Sequence, residues 1–291
     1  MSTLPRDFHF SQASLQDYAD CRRRFQLRYL VGLAWPAVEA EPGLENERRL
    51  QLGAAFHRLM QQHLLGLPTD RLSRAVAAGG TESEELPRWW DSFQEHGRSL
   101  EGYAETTDLI IFPETSLTAP LGNGYRLVAK YDLIAIAPDG RAAIFDWKTY
   151  RKRPSRTWME ERLQTRVYPF LLALAGEHLN RGNPIKPDDV KMIYWYPEFP
   201  TEPERFAYSQ AQFEQDGETL NALVREIAGL AEEDFSLTGF IERCRFCNYR
   251  SLCDRGAKAG GVDEIEAGED EVEAAGADFG INFEQIAEVE F

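Results

Sequence analysis

The sequence predicts an α/β fold in which a largely antiparallel sheet is flanked by helices. Residues 107–149 are rich in β-branched and aromatic residues, and turn signals divide them at Gly122-Asn123-Gly124 and Pro138-Asp139-Gly140. Segments with apolar residues at helical spacing lie on both sides of this region. The composition, 43% hydrophobic and 27% charged, is that of a globular protein, and 291 residues allow one large domain or two smaller ones.

Two helices and a helical insertion are predicted before the sheet. Ser11 or Ser14 is a suitable cap for a first helix that ends before Gly32. Apolar residues at helical spacing predict a second helix over about 47–65. Residues 66–105 contain Pro and Gly breakers between short helical patches, and we expect a helical insertion there.

The sheet strands and later helices follow in order. Three antiparallel strands are predicted over about 108–119, 125–137 and 141–149. A long helix over about 156–178, a strand over 190–196, a weaker strand near 204–209 and a helix over 211–233 complete the pattern.

The sequence lacks the patterns of membrane proteins, secreted proteins and ATP-driven motors. No apolar run approaches the roughly 18 residues of a membrane helix, and residues 1–10 lack the pattern of a secretory signal, so we expect a cytoplasmic protein with no membrane association. No G-x-x-x-x-G-K-[ST] loop is present, so no ATP motor is expected. In such a compartment, four cysteines indicate metal ligands or catalytic thiols before disulfides.

Most of the negative charge lies in one segment. Residues 262–291 contain 11 acidic residues and no Lys or Arg, and the remaining 261 residues carry 32 basic and 37 acidic side chains. The alternation of acidic residues with Ala and Gly predicts a disordered tail, which could bind a protein partner. The pI of 4.8 therefore does not exclude a nucleic-acid partner.

Two aspartates of the predicted hairpin are expected to face each other. A three-residue Pro138-Asp139-Gly140 turn pairs Ala137 with Arg141, and the same register places Asp132 opposite Asp146. Opposed carboxylates repel unless a cation lies between them, and hard oxygen ligands suit Mg²⁺ or Mn²⁺. Lys148 shares the face of Asp146 and could stabilise developing phosphate charge. The alternative is a set of ordinary charges on a solvated sheet face.

The ordered set of motifs resembles the RecB-type branch of the PD-(D/E)XK nuclease superfamily over about residues 9–255. The matching pieces, in order, are Gly53-x-x-x-His57, Glu114, Ala129-Lys130-Tyr131-Asp132, Asp146-Trp147-Lys148-Thr149 and Gln164-x-x-x-Tyr168. The resemblance implies a restriction-endonuclease-like mixed sheet flanked by helices, with one nuclease domain over 1–261 and a tail over 262–291. Two departures are Ala129, where the family usually has Gly, and Pro169, which is expected to kink the helix after Tyr168.

The resemblance also implies site residues. It makes His57, Asp132, Asp146 and the main-chain carbonyl of Trp147 ligands of a catalytic Mg²⁺ or Mn²⁺, with Glu114 as a second-metal or supporting residue. It makes Lys148 the catalytic lysine, and Gln164 and Tyr168 residues that orient the substrate strand or the site. Clustered basic residues beside these motifs are expected to contact DNA phosphates: Arg22, Arg151, Lys152, Arg153 and Arg156.

The cysteine spacing indicates a metal centre. Cys244-x₂-Cys247-x₅-Cys253 with the distant Cys21 provides four thiolates, enough for tetrahedral Zn²⁺ or an iron–sulfur cluster, and spacing leaves both open. Iron–sulfur members of the nuclease branch, including the CRISPR-adaptation exonuclease and the AddAB nuclease, have this arrangement. The resemblance therefore implies a 4Fe–4S cluster that ties the chain ends together.

These patterns give two hypotheses for function. The first is a metal-dependent DNA nuclease, an exonuclease or end-processing enzyme acting on single-stranded or free ends in DNA repair, recombination or CRISPR adaptation, with a helicase or integrase partner supplied in trans. The second is a non-catalytic subunit that uses the nuclease fold to bind DNA ends or to scaffold a partner. The intact set of Asp132, Asp146 and Lys148 favours the first.

Overall fold

A mixed six-stranded sheet is the centre of the computed structural model, which describes residues 4–33, 43–78, 84–97, 109–244 and 247–256. The strands are β1 (His9–Ser11), β2 (Ile110–Leu121), β3 (Tyr125–Ile136), β4 (Ala142–Trp147), β5 (Val190–Trp195) and β6 (Glu204–Ala207). The α-helices are α1 (Gln12–Asp20), α2 (Arg22–Phe25), α3 (Gly43–Leu64), α4 (Thr69–Ala78), α5 (Glu85–His96), α6 (Arg156–Glu161), α7 (Leu163–Ala175) and α8 (Gln210–Gly229).

The sheet has the order β1-β3-β4-β5-β6, with β2 on the other edge of β3. Strands β2, β3 and β4 form an antiparallel meander, β5 runs parallel to β4, and β6 returns antiparallel to β5. One edge of β3 is shared: β4 pairs with residues 133–136, and the short β1 runs parallel to residues 126–128. This α/β architecture, a mixed sheet flanked by helices, is the restriction-endonuclease-like fold that the sequence predicts.

The predicted hairpin register is confirmed. Leu133 pairs with Phe145 and Ile136 with Ala142, and the Ala137 amide donates to the Arg141 carbonyl at 2.9 Å. Gly140 has φ +88°, a conformation that costs little for glycine and lets the turn close in three residues. A local turn signal was therefore sufficient to predict the pairing of residues 133–136 with 142–145, and the pairing predicted between Asp132 and Asp146 lies one step beyond it.

The prediction of one continuous first helix is wrong. It divides into α1, α2 and a π-helical turn over Gln26–Leu30, because Cys21 has an extended backbone (φ −161°, ψ 110°). Ser11 caps α1, and its hydroxyl and that of Ser14 each accept the other's backbone amide. The preceding strand β1 was not predicted, since three residues carry too little pattern to recognise.

The predicted long helix over 156–178 is also two helices. Arg162 is extended (ψ 140°), and the Leu163 amide donates to the Gln16 side chain at 3.0 Å. A side chain of α1 thus satisfies one of the free amides at the start of α7. Helix α7 then continues through Pro169 and ends at Ala175.

Two hydrophobic cores cover the two sides of the sheet. The first core lies between the sheet and the helices α1, α7 and α8, and the second lies between the sheet and α3, α4 and α5. The segment predicted as a helical insertion contributes α4 and α5 to the second core, through Leu72, Leu86, Trp89, Trp90 and Phe93. Residues 79–83 and 98–105 of that segment, and the predicted acidic tail, lie outside the described residues.

In both β2 and β3, the side chains that face the first core at one end of the strand give way to side chains that face the second core, and the change occurs at the same level of the sheet. Tyr131 belongs to the first core and Leu133 to the second, although residues two apart on a regular strand share a face. On β2, Leu117 lies in the first core and Ile111 packs on the second. The change of face occurs around Asp132 and the residue opposite it, Glu114.

None of the described helices combines the length and the apolar character that a bilayer crossing requires.

Candidate active site

Asp132 lies where β3 and β4 separate. Their pairing ends at Leu133 and Phe145, one residue before the two predicted aspartates. The Asp132 carboxylate fills the opening: Oδ2 accepts the Trp147 amide at 2.8 Å, and Oδ1 lies 3.1 Å from His57 Nδ1. Burial alone would raise the pKa of Asp132, but His57, the Trp147 amide and Lys148 outweigh it, so that the pKa is lowered and the carboxylate is ionised at neutral pH.

Helix α3 brings His57 to this carboxylate. Gly53, one turn earlier, faces the end of β4, and a Cβ atom on it would lie 3.1 Å from Thr149 Oγ1. A residue without a side chain therefore allows the helix to approach the strand closely. The spacing of Gly53 and His57 is the sequence signature of this close approach.

Glu114 completes a compact group with His57 and Asp132. One ligand atom from each of the three side chains lies within 4.8 Å of the others. Glu114 has φ +51°, which for a non-glycine residue costs roughly 1–3 kcal/mol, and it is the one such residue within a strand of the described chain. Its carboxylate pairs with Lys130, which is 40% exposed. An imidazole nitrogen and two carboxylates, all partly accessible, suit a hard divalent cation.

Asp146, Lys148 and Gln164 form a second, buried group on the side of α7. Lys148 Nζ lies 2.9 Å from Asp146 Oδ2 and 3.0 Å from Gln164 Oε1, and Gln164 Nε2 donates to Asp146 Oδ1 at 2.7 Å. Asp146 is 4% exposed and Lys148 2%. Gln164 thus fixes both partners of a buried ion pair, and the described geometry groups Asp146 with Lys148 rather than with His57 and Glu114.

Tyr168 lies one turn along α7 from Gln164, against Tyr131. The two rings are 4.8 Å apart, and the Tyr131 hydroxyl donates to the Tyr168 carbonyl at 2.9 Å. Burial, followed by the charges of Asp146 and Asp132, raises the pKa of Tyr168 well above its usual value of 10. Tyr168 is therefore a neutral hydroxyl at physiological pH.

Two aromatic residues lie beside Lys148, and one of them, Tyr194, was missed from the sequence. Lys148 Nζ lies 5.6 Å from the Tyr194 ring centroid and 5.9 Å from that of Tyr150. The Tyr194 hydroxyl is held by Thr165 at 2.8 Å. Tyr194 pairs with Asp146 across the parallel strands, but the long connection between β4 and β5 hides this register from sequence reasoning.

The indole of Trp147 is buried away from the site. It is 2% exposed and packs against Phe93, Phe145 and Trp195 in the second core. Only its backbone contributes to the site, through the amide that binds Asp132.

The four cysteines line one pocket. Cys21, in the break between α1 and α2, meets Cys244, Cys247 and Cys253 there, together with Arg24 and Arg250. All four are free thiols of intermediate exposure. Burial raises the pKa of the Cys247 thiol to about 11, against the opposing charge of Arg24. The fold thus brings together the two ends of the described chain at this pocket.

The residues predicted to contact DNA lie in two separate regions of the surface, and the arginines in both regions form ion pairs with acidic side chains. Arg22 of α2 pairs with Glu226 of α8. The basic group after β4 pairs with carboxylates of α5, of α6 and of the segment around β6, as in the ion pairs Arg151–Glu85, Arg153–Glu202, Arg153–Glu204, Arg156–Glu160 and Arg156–Glu204. Lys152 lies among them and is exposed. The Arg156–Glu160 pair, which is exposed on both sides, is of the weak kind that can exchange partners.

Two solved structures are similar in part: the "Putative exonuclease" from Eubacterium rectale (14% identity, TM-score 0.45, covering 75% of this chain and 79% of that one) and SSO0001 (12% identity, TM-score 0.35, covering 70% and 95%). No curated protein matches the sequence. The family model described as the PD-(D/E)XK nuclease superfamily matches residues 9–254. The chain therefore belongs to the PD-(D/E)XK nuclease superfamily.

Proposed function

We propose that the protein is a deoxyribonuclease that uses Mg²⁺ or Mn²⁺ to hydrolyse phosphodiester bonds at single-stranded or free DNA ends. The observation that carries this proposal is the compact group of His57, Glu114 and Asp132. It lies where the side chains of β2 and β3 switch from one core to the other, next to the buried Asp146–Lys148 pair. A divalent metal there would polarise the phosphoryl group and lower the pKa of a nearby water.

The residues of the chain divide the chemistry between them. His57, Glu114 and Asp132 offer the ligand atoms, and Asp146 and the Trp147 carbonyl are the further ligands that the family resemblance implies. Lys148, held by Asp146 and Gln164, places a fixed positive charge where charge develops on the transferring phosphate. Tyr168, a neutral donor, remains in position to orient the site.

The four cysteines are proposed to bind a 4Fe–4S cluster with a structural role. All four line one pocket together with Arg24 and Arg250. Four thiolates suit either a tetrahedral Zn²⁺ or an iron–sulfur cluster. The resemblance to the iron–sulfur members of the nuclease branch favours the cluster. Anaerobic purification tests this: bound iron and broad visible absorption are expected, whereas a colourless zinc protein would contradict it.

The DNA partner would approach over the exposed basic side chains. Arg151 and Arg156 are 41% and 50% exposed, whereas their partners Glu85 and Glu204 are 14% and 16% exposed, so that DNA phosphates would meet the arginines from the solvent side. Participation in DNA repair, recombination or CRISPR adaptation, with a helicase or integrase partner, belongs to the same proposal and rests on the resemblance to the RecB-type branch.

The test is digestion of end-labelled single-stranded DNA with Mn²⁺. The full chain should release labelled products, and Asp132→Asn should abolish release because it removes a ligand charge. Asp139→Asn, an equivalent change in the exposed turn between β3 and β4, is the matched control and should leave cleavage unchanged. Binding of DNA ends without cleavage in the wild type would contradict the enzyme and support a scaffold subunit.

A further inference from the structure

Exposed apolar side chains are concentrated beside the cysteine pocket. Eight large apolar side chains are strongly exposed in the described part of the chain, and six of them lie in three short segments around this pocket. We call these six the cysteine-side patch: Val31, Leu33, Leu237, Phe240, Ile241 and Leu252. Phe240 and Ile241 are 69% and 62% exposed. Single exposed apolar residues are ordinary, but a group of them marks an interaction surface.

Hydrogen bonds join the three segments into one surface. The Tyr249 hydroxyl donates to the Leu33 carbonyl at 3.0 Å, which connects the first segment to the turn that carries Leu252. Leu237 lines the pocket with the four cysteines, and the amide of Arg23 donates to the Ser236 carbonyl at 3.1 Å. The three segments that carry the patch are therefore neighbours around the pocket.

Arginines border the patch. The Arg243 guanidinium lies 5.0 Å from the ring centroid of Phe240 and 3.2 Å from Asp20 Oδ1, and its side chain is 44% exposed. Arg23 and Arg255 lie close enough to Cys253 to act on its thiol electrostatically. An apolar surface with a positive border suits an acidic segment that carries large apolar side chains.

The chain itself contains such a segment. Residues 279–291 hold six large apolar residues and three glutamates, and no Lys or Arg follows Lys258. The apolar members are Phe279, Ile281, Phe283, Ile286, Val289 and Phe291, and the acidic members are Glu284, Glu288 and Glu290. We propose that residues 279–291 bind the cysteine-side patch of the same chain.

The connection is long enough for this contact. The described structure ends at Gly256, immediately after the turn that carries Leu252 and Cys253, and 22 residues connect it to Phe279. A connection of that length has a typical reach of roughly 25 Å. Tethering at this distance supplies an effective concentration in the millimolar range, so a weak contact is sufficient to keep the patch covered.

Photo-cross-linking of the full chain tests the proposal without reference to nuclease activity. Phe283→p-benzoylphenylalanine is introduced, the purified protein is irradiated, and cross-linked peptides are identified by mass spectrometry. Cross-links to residues 237–241 and to Leu252, within a chain of monomer mass, are expected. The double variant Phe240→Ser and Ile241→Ser should lower their yield by roughly fivefold or more.

Exposed leucines elsewhere provide matched controls. Leu65→Ser and Leu174→Ser alter side chains that are 63% and 44% exposed outside the patch, and they should leave the yield unchanged. Cross-links between mixed light and heavy isotope-labelled chains would assign the patch to a second copy and overturn the proposal. Cross-links elsewhere on the chain, or none, would also overturn it, and a separate partner protein would then be the occupant.

Discussion

At the residue scale, the site consists of two groups with different exposure. His57, Glu114 and Asp132 are partly accessible, whereas Asp146 and Lys148 are buried and joined by Gln164. A buried ion pair that is hydrogen-bonded at both ends holds its members in place but leaves an uncompensated charge if one is removed. The accessible group can therefore exchange ligands, and the buried group supplies a charge at a fixed position.

The buried pair makes a prediction about stability. Lys148→Met should lower the free energy of unfolding by about 3–5 kcal/mol, because the Asp146 carboxylate stays buried without its partner. Adding Asp146→Asn should recover a large part of that loss, although both variants lack nuclease activity. Urea unfolding of the single and double variants measures the coupling. Equal stability of Lys148→Met and the wild type would show that the pair is not buried as described.

The state of Tyr168 is a second prediction at this scale. Because the pKa of Tyr168 is raised above 10, the folded protein keeps this phenol neutral while the unfolded chain ionises it. Its contribution to stability is full below pH 10 and is lost as pH rises further. A 295 nm titration of Tyr168→Phe should match that of the folded wild type near pH 10. A deficit of one titrating phenol there would contradict the assignment.

The sequence could predict which residues are in the site better than it could predict how they group. The Pro138-Asp139-Gly140 turn fixed the register of β3 on β4, and helical spacing placed His57 one turn after Gly53. The left-handed backbone of Glu114 could not be anticipated, because no glycine marks it. The change of face at Asp132 follows from this tertiary geometry and breaks the alternation on which sequence reasoning depends.

At the scale of elements, the approach of α3 to the end of β4 positions the imidazole. Gly53→Ala should improve helix propensity but push α3 away from Thr149, whose hydroxyl would lie 3.1 Å from the new Cβ. We expect stability to be kept and Mn²⁺-dependent cleavage to fall. Thr149→Ala in the same chain should restore activity by removing the hydroxyl.

The control for this prediction lies on another helix. A Cβ on Gly229, the last residue of α8, meets no atom within 4 Å, so Gly229→Ala should change neither stability nor cleavage. Full activity of Gly53→Ala would show that the close approach is not required.

Breaks between helices were the elements least visible in the sequence. Cys21 interrupts the first helical region and Arg162 the region after β4, and both breaks depend on partners far along the chain. The Gln16 side chain that binds the Leu163 amide is one such partner. A residue pattern with helical spacing carries no information about contacts of this kind.

At the scale of the whole molecule, the cysteine pocket joins the beginning and end of the described chain. Cys21→Ser should reduce bound iron and lower the Tm, since a cross-link that closes a loop of more than 200 residues restricts the unfolded chain. Iron content and thermal unfolding of the anaerobic protein measure both effects. Unchanged Tm together with lost iron would mean that the cluster does not stabilise the fold.

The central claim is that His57, Glu114 and Asp132 bind the metal on which cleavage depends. Calorimetric titration of the purified protein with Mn²⁺ measures it directly. We predict that His57→Ala, Glu114→Gln and Asp132→Asn each weaken Mn²⁺ binding by roughly tenfold or more, while Asp139→Asn binds as the wild type does. Wild-type Mn²⁺ affinity in all three site variants would contradict the account.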